Sequence, residues 1–213
     1  MRVIAIDGPA GSGKSTVARA LAARLGLDYL DTGAMYRAVT FAAIRQGVDL
    51  DDAARVARLA QDIDLRVDDA VLVDGTDATI EIRSPEVTRA VSVVAANPDV
   101  RHELVQRQRE WAEARGGGVI EGRDIGTVVF PDAELKVYLT ADDSERAARR
   151  SKEMLDLHYD QVAADIARRD HIDSTRASSP LSAAGDAVTV DTTGLGIDQV
   201  VDKVAALLEK GGG

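Results

Sequence analysis

The residues with the most definite chemistry stand near the start of the chain. Gly8-Pro9-Ala10-Gly11-Ser12-Gly13-Lys14-Ser15 fits the pattern G-x-x-x-x-G-K-[ST], and Thr16 follows it. Glycines let such a loop curl until successive backbone N–H groups point inward at phosphate oxygens. A helix starting at Ser15 would add its own unpaired N–H groups and the positive end of its dipole. The expected ligand is ATP, bound along Gly8 to Thr16. Lys14 would reach the β- and γ-phosphates as a catalytic cation, and the Ser15 hydroxyl would ligate the Mg²⁺ that accompanies the nucleotide.

The flanks agree with that reading. Val3-Ile4-Ala5-Ile6 is an apolar run of buried-strand length before the loop, and Asp7-Gly8-Pro9 is a turn signal. After the loop, Val17, Leu21 and Leu25, with Ala18 and Ala22 beside them, mark one face of a helix that Gly26 closes. A guanine-reading switch protein needs Asn-Lys-x-Asp, but the single asparagine, Asn97, precedes a proline. Mechanical ATPases carry a strand ending in Asp or Asp-Glu, whereas Val119-Ile120-Glu121 leads into Gly122-Arg123-Asp124. A small phosphotransferase is favoured, with a P-loop ATPase as the alternative from another class.

Bulk properties narrow the partners. The net charge of -10 has the wrong sign for a protein that tracks nucleic acid through its overall field. Without cysteine the chain can hold no disulfide, thiolate metal site or thiol nucleophile, which fits a cytoplasmic protein. No uncharged apolar run reaches the roughly 18 residues of a membrane span. Arg2 to Asp7 already reads as a strand, so no leader is expected. His102, His158 and His171 show no ligand spacing.

Further elements follow from pattern. Leu27 to Leu30 reads as a strand, and Gly33 to Arg45 as a helix ended by Gly47. Between about Asp64 and Ile82, the segments Leu65-Arg66-Val67, Val71-Leu72-Val73 and Thr79-Ile80-Glu81-Ile82 suit a small antiparallel ribbon. Helices are expected over Pro85–Ala96 and Pro98–Arg115, and strands over Val119–Glu121, Leu135–Leu139 and Ala187–Val190. An arginine-dense helix is expected over Ser144–Leu155, and a charged one, with little apolar stripe to dock it, over His158–Asp170. A last helix carries Ile197, Val200, Val201, Val204, Leu207 and Leu208. Strand alternating with helix predicts an α/β fold, a doubly wound parallel sheet of the P-loop kinase kind. Residues 1–213 would form one domain, with a small antiparallel β insert at 63–96 and a helical lid at about 150–168.

Three segments resemble those of bacterial cytidylate kinases, a family of P-loop nucleoside monophosphate kinases. They are Asp31-Thr32-Gly33-Ala34-Met35-Tyr36-Arg37, Glu121-Gly122-Arg123-Asp124-Ile125-Gly126-Thr127-Val128-Val129-Phe130-Pro131-Asp132, and Arg169-Asp170-His171-Ile172-Asp173-Ser174-Thr175-Arg176. With the loop at Gly8, the resemblance spans nearly the whole chain. It implies transfer of the ATP γ-phosphoryl group to CMP or dCMP, by a monomer that engages neither nucleic acid nor membrane. It further implies that Thr32 and Arg37 line the acceptor site, with Arg37 and Arg123 on its phosphate. Ser92, Arg101 and Asp124 would face the cytosine, and Arg169, Asp173 and Arg176 would complete the pocket. Arg123 joins Lys14 as a catalytic cation. A carboxylate such as Asp124 can accept from the cytosine amino group, where uracil presents a repelling carbonyl.

Each of these side chains also has a plainer reading. Arg37 could be an ordinary solvated cation, and Asp124 a cap for local structure. Arg146, Arg149 and Arg150 resemble an exposed helix face as much as part of a lid. The sequence departs from the family in having Thr32 where Ser is frequent and Glu121 where Asp is frequent. It is also shorter between Lys152 and Asp160. Another small acceptor, a different nucleoside monophosphate or shikimate, stays open as a substrate.

Overall fold

The structure is a computed structural model and describes residues 1–153 and 159–211. Strand β1 (Arg2–Asp7) buries Val3, Ile4, Ala5 and Ile6 on both faces, as the middle of a parallel sheet requires. It pairs in parallel with β6 (Gly117–Gly122) on one side and β7 (Leu135–Thr140) on the other. With β2 (Tyr29–Asp31) and β8 (Val188–Asp191) at the edges, the order is β2-β6-β1-β7-β8. The path runs outward from β1 to β2, then reverses past β1 to β7 and β8. Crossovers running in both directions from β1 make the doubly wound arrangement, in which right-handed connections put helices on both faces.

The chain forms two compact units, one of Met1–Tyr29 with the chain from Ala112 onward, the other of Leu30–Trp111. In the first, α1 (Lys14–Leu25) and α8 (Ile197–Gly211) cover one face of the sheet. Val17, Ala18, Leu21, Val200, Val201 and Val204 meet Ile4, Ile6, Val119, Val137 and Leu139 there. After β7 come α6 (Asp143–Glu153) and α7 (Tyr159–Thr175). The expected end of the arginine-dense helix at Leu155, and the start of the next at His158, lie outside the described residues. Helix α7 continues five residues past the expected Asp170. It is also better docked than its charge implied, because Val162 and Ile166, four residues apart on one face, are buried against Ala10 and Ala147. Two such side chains contribute at most about 3–6 kcal/mol.

The second unit holds α2 (Thr32–Arg45), α3 (Ala53–Asp62), α4 (Pro85–Ala96) and most of α5 (Pro98–Arg115). It also holds an antiparallel sheet of β3 (Leu65–Val67), β4 (Val71–Val73) and β5 (Thr76–Asp77). The sequence reading passed over α3, although Asp52 caps it by accepting from the Arg55 N–H and Val56, Ala57, Leu59 and Ala60 are buried. The third strand is not Thr79–Ile82. Asp77 accepts from both the N–H and the hydroxyl of Thr79, which turns the chain after β5, and Glu81–Arg83 is a short 3₁₀ turn. Ile80 is consequently exposed while Ile82 is fully buried.

The passage from β1 into the glycine-rich loop is sterically closed to other residues. Gly8 has φ 150°, and a Cβ there would lie 2.1 Å from the Leu139 carbonyl oxygen of β7. Gly8→Ala should therefore push β1 and β7 apart where Asp7 pairs with Tyr138. Backbone strain alone is of order 1–3 kcal/mol, so the melting temperature should fall by roughly 2 °C or more. A thermal melt within a degree of the parent protein would show that the loop yields there.

Candidate active site

The glycine-rich loop leaves the carboxyl end of β1 through backbone conformations that only glycine adopts readily. Gly11 and Gly13 have φ 75° and 88°, and a Cβ on Gly11 would sit 2.8 Å from the Arg146 carbonyl oxygen. Lys14 opens α1 with its ammonium group buried, donating to the Pro9 carbonyl at 2.7 Å. Burial lowers its pKa to about 7, helped by Arg123 and Arg169 and opposed by Glu121 and Asp7. Ser15 and Thr16 are exposed on the first helical turn. Ser12 is buried, and its hydroxyl has no hydrogen-bond partner among the described residues.

Asp7, the last residue of β1, is a site residue that sequence reasoning did not single out. Its carboxylate accepts from the N–H groups of Ile125 at 2.8 Å and Gly126 at 2.7 Å. Burial raises its pKa to about 6, against the two N–H bonds that favour its charge. These bonds anchor the π-helical turn Ile125–Val129, and with it Arg123 and Asp124, at the carboxyl end of β6. An aspartate closing an apolar strand just before a phosphate loop was the available signal. Its partners, 118 and 119 residues away, were not.

The Asp124 side chain does not cap that turn. It is buried, with Oδ1 3.5 Å from Nη2 of Arg176, so the capping alternative falls away. Arg176 also donates through Nε to the Ser179 carbonyl at 2.7 Å. Asp173 stands between cations: its carboxylate accepts from Arg123 Nε at 3.0 Å and lies 3.9 Å from Arg176 Nη1. Burial opposes the Asp173 charge, yet Arg123, Arg169 and Arg176 together hold its carboxyl below the usual range. Burial likewise opposes the charge of Arg123, which Asp173 more than restores. Arg169 fares otherwise. Burial and the facing charge of Arg123 push it down to about 10, with Arg150 adding to the repulsion, and its Nε has no hydrogen-bond partner among the described residues.

Arg146 corrects an expectation. Rather than lying on a solvated face, it is buried and donates to the Ala10 carbonyl at 2.8 Å and to the Asp170 carboxylate. Neighbours along its own helix gave no sign of this, because its partners lie in the phosphate loop and α7. Arg149 donates to the hydroxyl and the carbonyl of Thr192, at 2.9 and 2.8 Å. Glu121 is buried and accepts from the Tyr29 hydroxyl at 2.5 Å. Tyr138 on β7 is half-buried, and burial followed by the Asp170 charge raises its phenol pKa.

The other expected residues lie in the second unit. Arg37 is not a solvated cation; it is buried on α2 and donates to the Ile82 carbonyl at 3.0 Å and the Thr88 hydroxyl at 2.9 Å. Thr32 and Ser92 are buried on α2 and α4. Arg101 lies over the Tyr36 ring, 5.5 Å from its centroid. Asp31 caps α2 through the Ala34 N–H and also pairs with Arg83, a cation the sequence reading did not mark. The structure thus gathers Arg123, Asp124, Arg169, Asp173 and Arg176 in one unit, and holds Thr32, Arg37, Ser92 and Arg101 in the other.

A strand, a glycine-rich loop with a buried lysine, and a helix, set in a doubly wound parallel sheet, define a P-loop α/β protein of the kinase kind. Solved structures share this fold at low identity. One is an uncharacterized protein from Eubacterium ventriosum ATCC 27560, at TM-score 0.58 and 14% identity, covering 98% of each chain. Another is a gluconokinase from Sinorhizobium meliloti 1021, at TM-score 0.53 and 14% identity, covering 98% of this chain and 92% of that one. Sequence relatives are far closer. A cytidylate kinase of Desulforamulus reducens is 51% identical, covering 99% of this chain and 98% of its own. One of Mycobacterium leprae is 49% identical, covering 99% and 97%. Residues 4–210 match the family model for cytidylate kinase, and the chain belongs to that family.

The lowered pKa of Lys14 gives a pH signature. The folded protein binds fewer protons than the unfolded chain between about pH 7 and 10, so this group adds stability as pH rises through that window. A polyphosphate bound on the loop would restore the charge. At pH 8, where about nine-tenths of Lys14 is neutral, ATP binding should take up roughly one proton. Calorimetric titration in buffers of different ionisation enthalpy reads that number directly. Zero uptake in the parent, or equal uptake by Lys14→Met, would mean Lys14 does not meet the phosphates.

Proposed function

We propose that this protein is an ATP-dependent cytidylate kinase, transferring the γ-phosphoryl group of ATP to CMP or dCMP and yielding CDP or dCDP. The observation that carries the reading is the state of Arg169, a half-buried guanidinium pressed by like charges whose enclosed Nε has no hydrogen-bond partner among the described residues. Lys14, Arg123 and Arg169 together oppose one another's charge, and a phosphate relieves that repulsion.

The donor triphosphate is assigned to Gly8–Thr16, and the acceptor to the two arginine-bearing groups. Arg37 and Arg123 take its phosphate, Ser92, Arg101 and Asp124 its base, and Thr32, Arg169, Asp173 and Arg176 the remainder. The acceptor phosphate is already anionic at neutral pH, so no general base is needed. Alignment and charge neutralisation by Lys14 and the arginines supply the acceleration. The donor set fits Mg²⁺ held with the nucleotide. Among the described residues no group of three His, Asp or Glu could hold a metal, which leaves the exposed Ser15 hydroxyl as a protein ligand beside phosphate oxygens and water. Such an ion supplies charge to the migrating phosphoryl group. No helix among the described residues is long and apolar enough to cross a membrane.

We further propose that the lid at about 150–168 and the insert at 63–96 move inward around bound substrates, excluding water from the transfer. The slender apolar contact of Val162 and Ile166 is of a size that can be broken and remade. Hydrogen exchange in both segments should slow with a bisubstrate analogue, and unchanged exchange in both removes the lid.

An acceptor panel of CMP, dCMP, UMP and AMP tests the central reading, because ADP formation must depend on acceptor and favour cytidine. ADP released without acceptor would mark an ATPase instead. Base choice is tested by Asp124→Asn, whose amide can rotate to offer a donor to the uracil carbonyl. Losing a charge-assisted hydrogen bond costs about 1.5–3 kcal/mol, so the preference for CMP over UMP in kcat/KM should fall by roughly one to two orders of magnitude. With the melting temperature as control, an unchanged ratio in a folded variant moves base reading to Ser92 and Arg101.

A further inference from the structure

Helix α7 touches both the phosphate loop and the arginine cluster within one turn. Its residue Asp170 accepts from the Ala10 N–H through Oδ1 at 3.0 Å, while Oδ2 pairs with Nη1 of Arg146. The same Nη1 donates to the Ala10 carbonyl at 2.8 Å. Both backbone groups of one loop residue are therefore held, the N–H by a carboxylate and the carbonyl by the guanidinium paired with it. Asp143 at 2.6 Å steadies the other arm of Arg146. Beneath this triangle, Val162 and Ile166 bury the same face of α7 against Ala10 and Ala147.

The neighbours of Asp170 on α7 belong to the other phosphate seat. Arg169 precedes it, and Asp173 follows three residues later with its bonds to Arg123 and Arg176. Residues three apart on a helix lie on one face, so Asp170 and Asp173 are neighbours on α7. Any shift of Ala10 on filling of the loop would therefore bear on Asp170, and through α7 on Asp173, the residue between Arg123 and Arg176. Asp170 also compensates the buried charge of Arg146, so its loss costs stability as well, and only a coupling measurement separates the two roles.

We propose that Asp170, with Arg146, is a positioning residue that couples the donor-phosphate loop to the acceptor-phosphate arginines, so that filling one seat readies the other. The inference rests on the cytidylate kinase reading of the same site. It predicts positive coupling: CMP should bind more tightly once a non-transferable ATP analogue occupies the loop, and the analogue more tightly by the same factor once CMP is bound.

The test measures CMP affinity by calorimetry with and without the saturating analogue, in the parent and in Asp170→Ala, Asp170→Asn and Arg146→Ala. The parent should show a coupling factor of roughly 5–150-fold. In Asp170→Ala the factor should fall to about one, with each ligand's affinity alone changed by about threefold or less. Arg146→Ala should lose a similar share, and the double variant no more than either alone, as expected for one linked unit. If Asp170→Ala does not fold, Asp170→Asn keeps the acceptor for Ala10 but loses the charge pair, and should lose most of the coupling. A merely structural role predicts lower melting temperature and weaker binding of both ligands with the factor intact, and that outcome overturns the proposal. So does a parent factor of one. Failure of the underlying reading shows differently, as a parent protein that neither binds nor phosphorylates CMP.

Discussion

A site for phosphoryl transfer must keep several cations close together where water is scarce, and this constraint shapes most of what is unusual in the molecule. Arg123 opposes the charge of both Lys14 and Arg169, and Arg169 that of Lys14. Burying such a group without partners would be prohibitive. The chain answers with interleaved carboxylates: Asp173 between Arg123 and Arg176, Asp124 beside Arg176, Asp170 on Arg146, and Asp7 and Glu121 near Lys14. Neutralisation is incomplete at Arg169, and it is there that an incoming phosphate has most to relieve.

The sheet makes this crowding possible by delivering its charged residues from strand ends. Asp7 closes β1, Arg123 and Asp124 follow β6, and Tyr138 lies near the end of β7. Parallel strands bring these ends to one rim, where ligands of such sheets bind. Glycine is what lets the rim close up. At Gly8 and Gly11 a single methyl group would collide with the backbone of Leu139 and of Arg146. The motif is thus a packing requirement as much as a phosphate-binding one.

These origins explain what could be read from the sequence. The loop at Gly8–Ser15 was legible because its chemistry is local, and the sheet because its strands are continuous apolar runs. The arginine cluster was legible only through resemblance to a family, since nothing along the chain tells Arg123 that Asp173 lies 50 residues away. Arg146 stayed open between a solvated face and a lid for the same reason: helix neighbours favour solvation, while its partners sit in other elements. The third strand failed at Asp77, where side-chain bonds to Thr79 outcompeted an alternating pattern that favoured a strand. Helix α3 was missed although its cap and stripe are both present between Asp52 and Ile63.

The two phosphate seats proposed above also differ in how they carry charge. The donor loop relies on backbone N–H groups and one lysine, whose ammonium is poised near neutrality until an anion arrives. The acceptor side relies on guanidinium groups, and even the most opposed of them, Arg169, remains protonated to about pH 10. An ammonium in that place would shed its proton under the same repulsion, because lysine's pKa moves readily on burial. Arginine keeps the acceptor seat charged before its ligand binds, and its planar fork can hold a carboxylate and a phosphate on different edges at once. The preference for arginine there follows from the electrostatics of crowding, and it lets one cluster both brace itself through Asp173 and remain attractive to an anion.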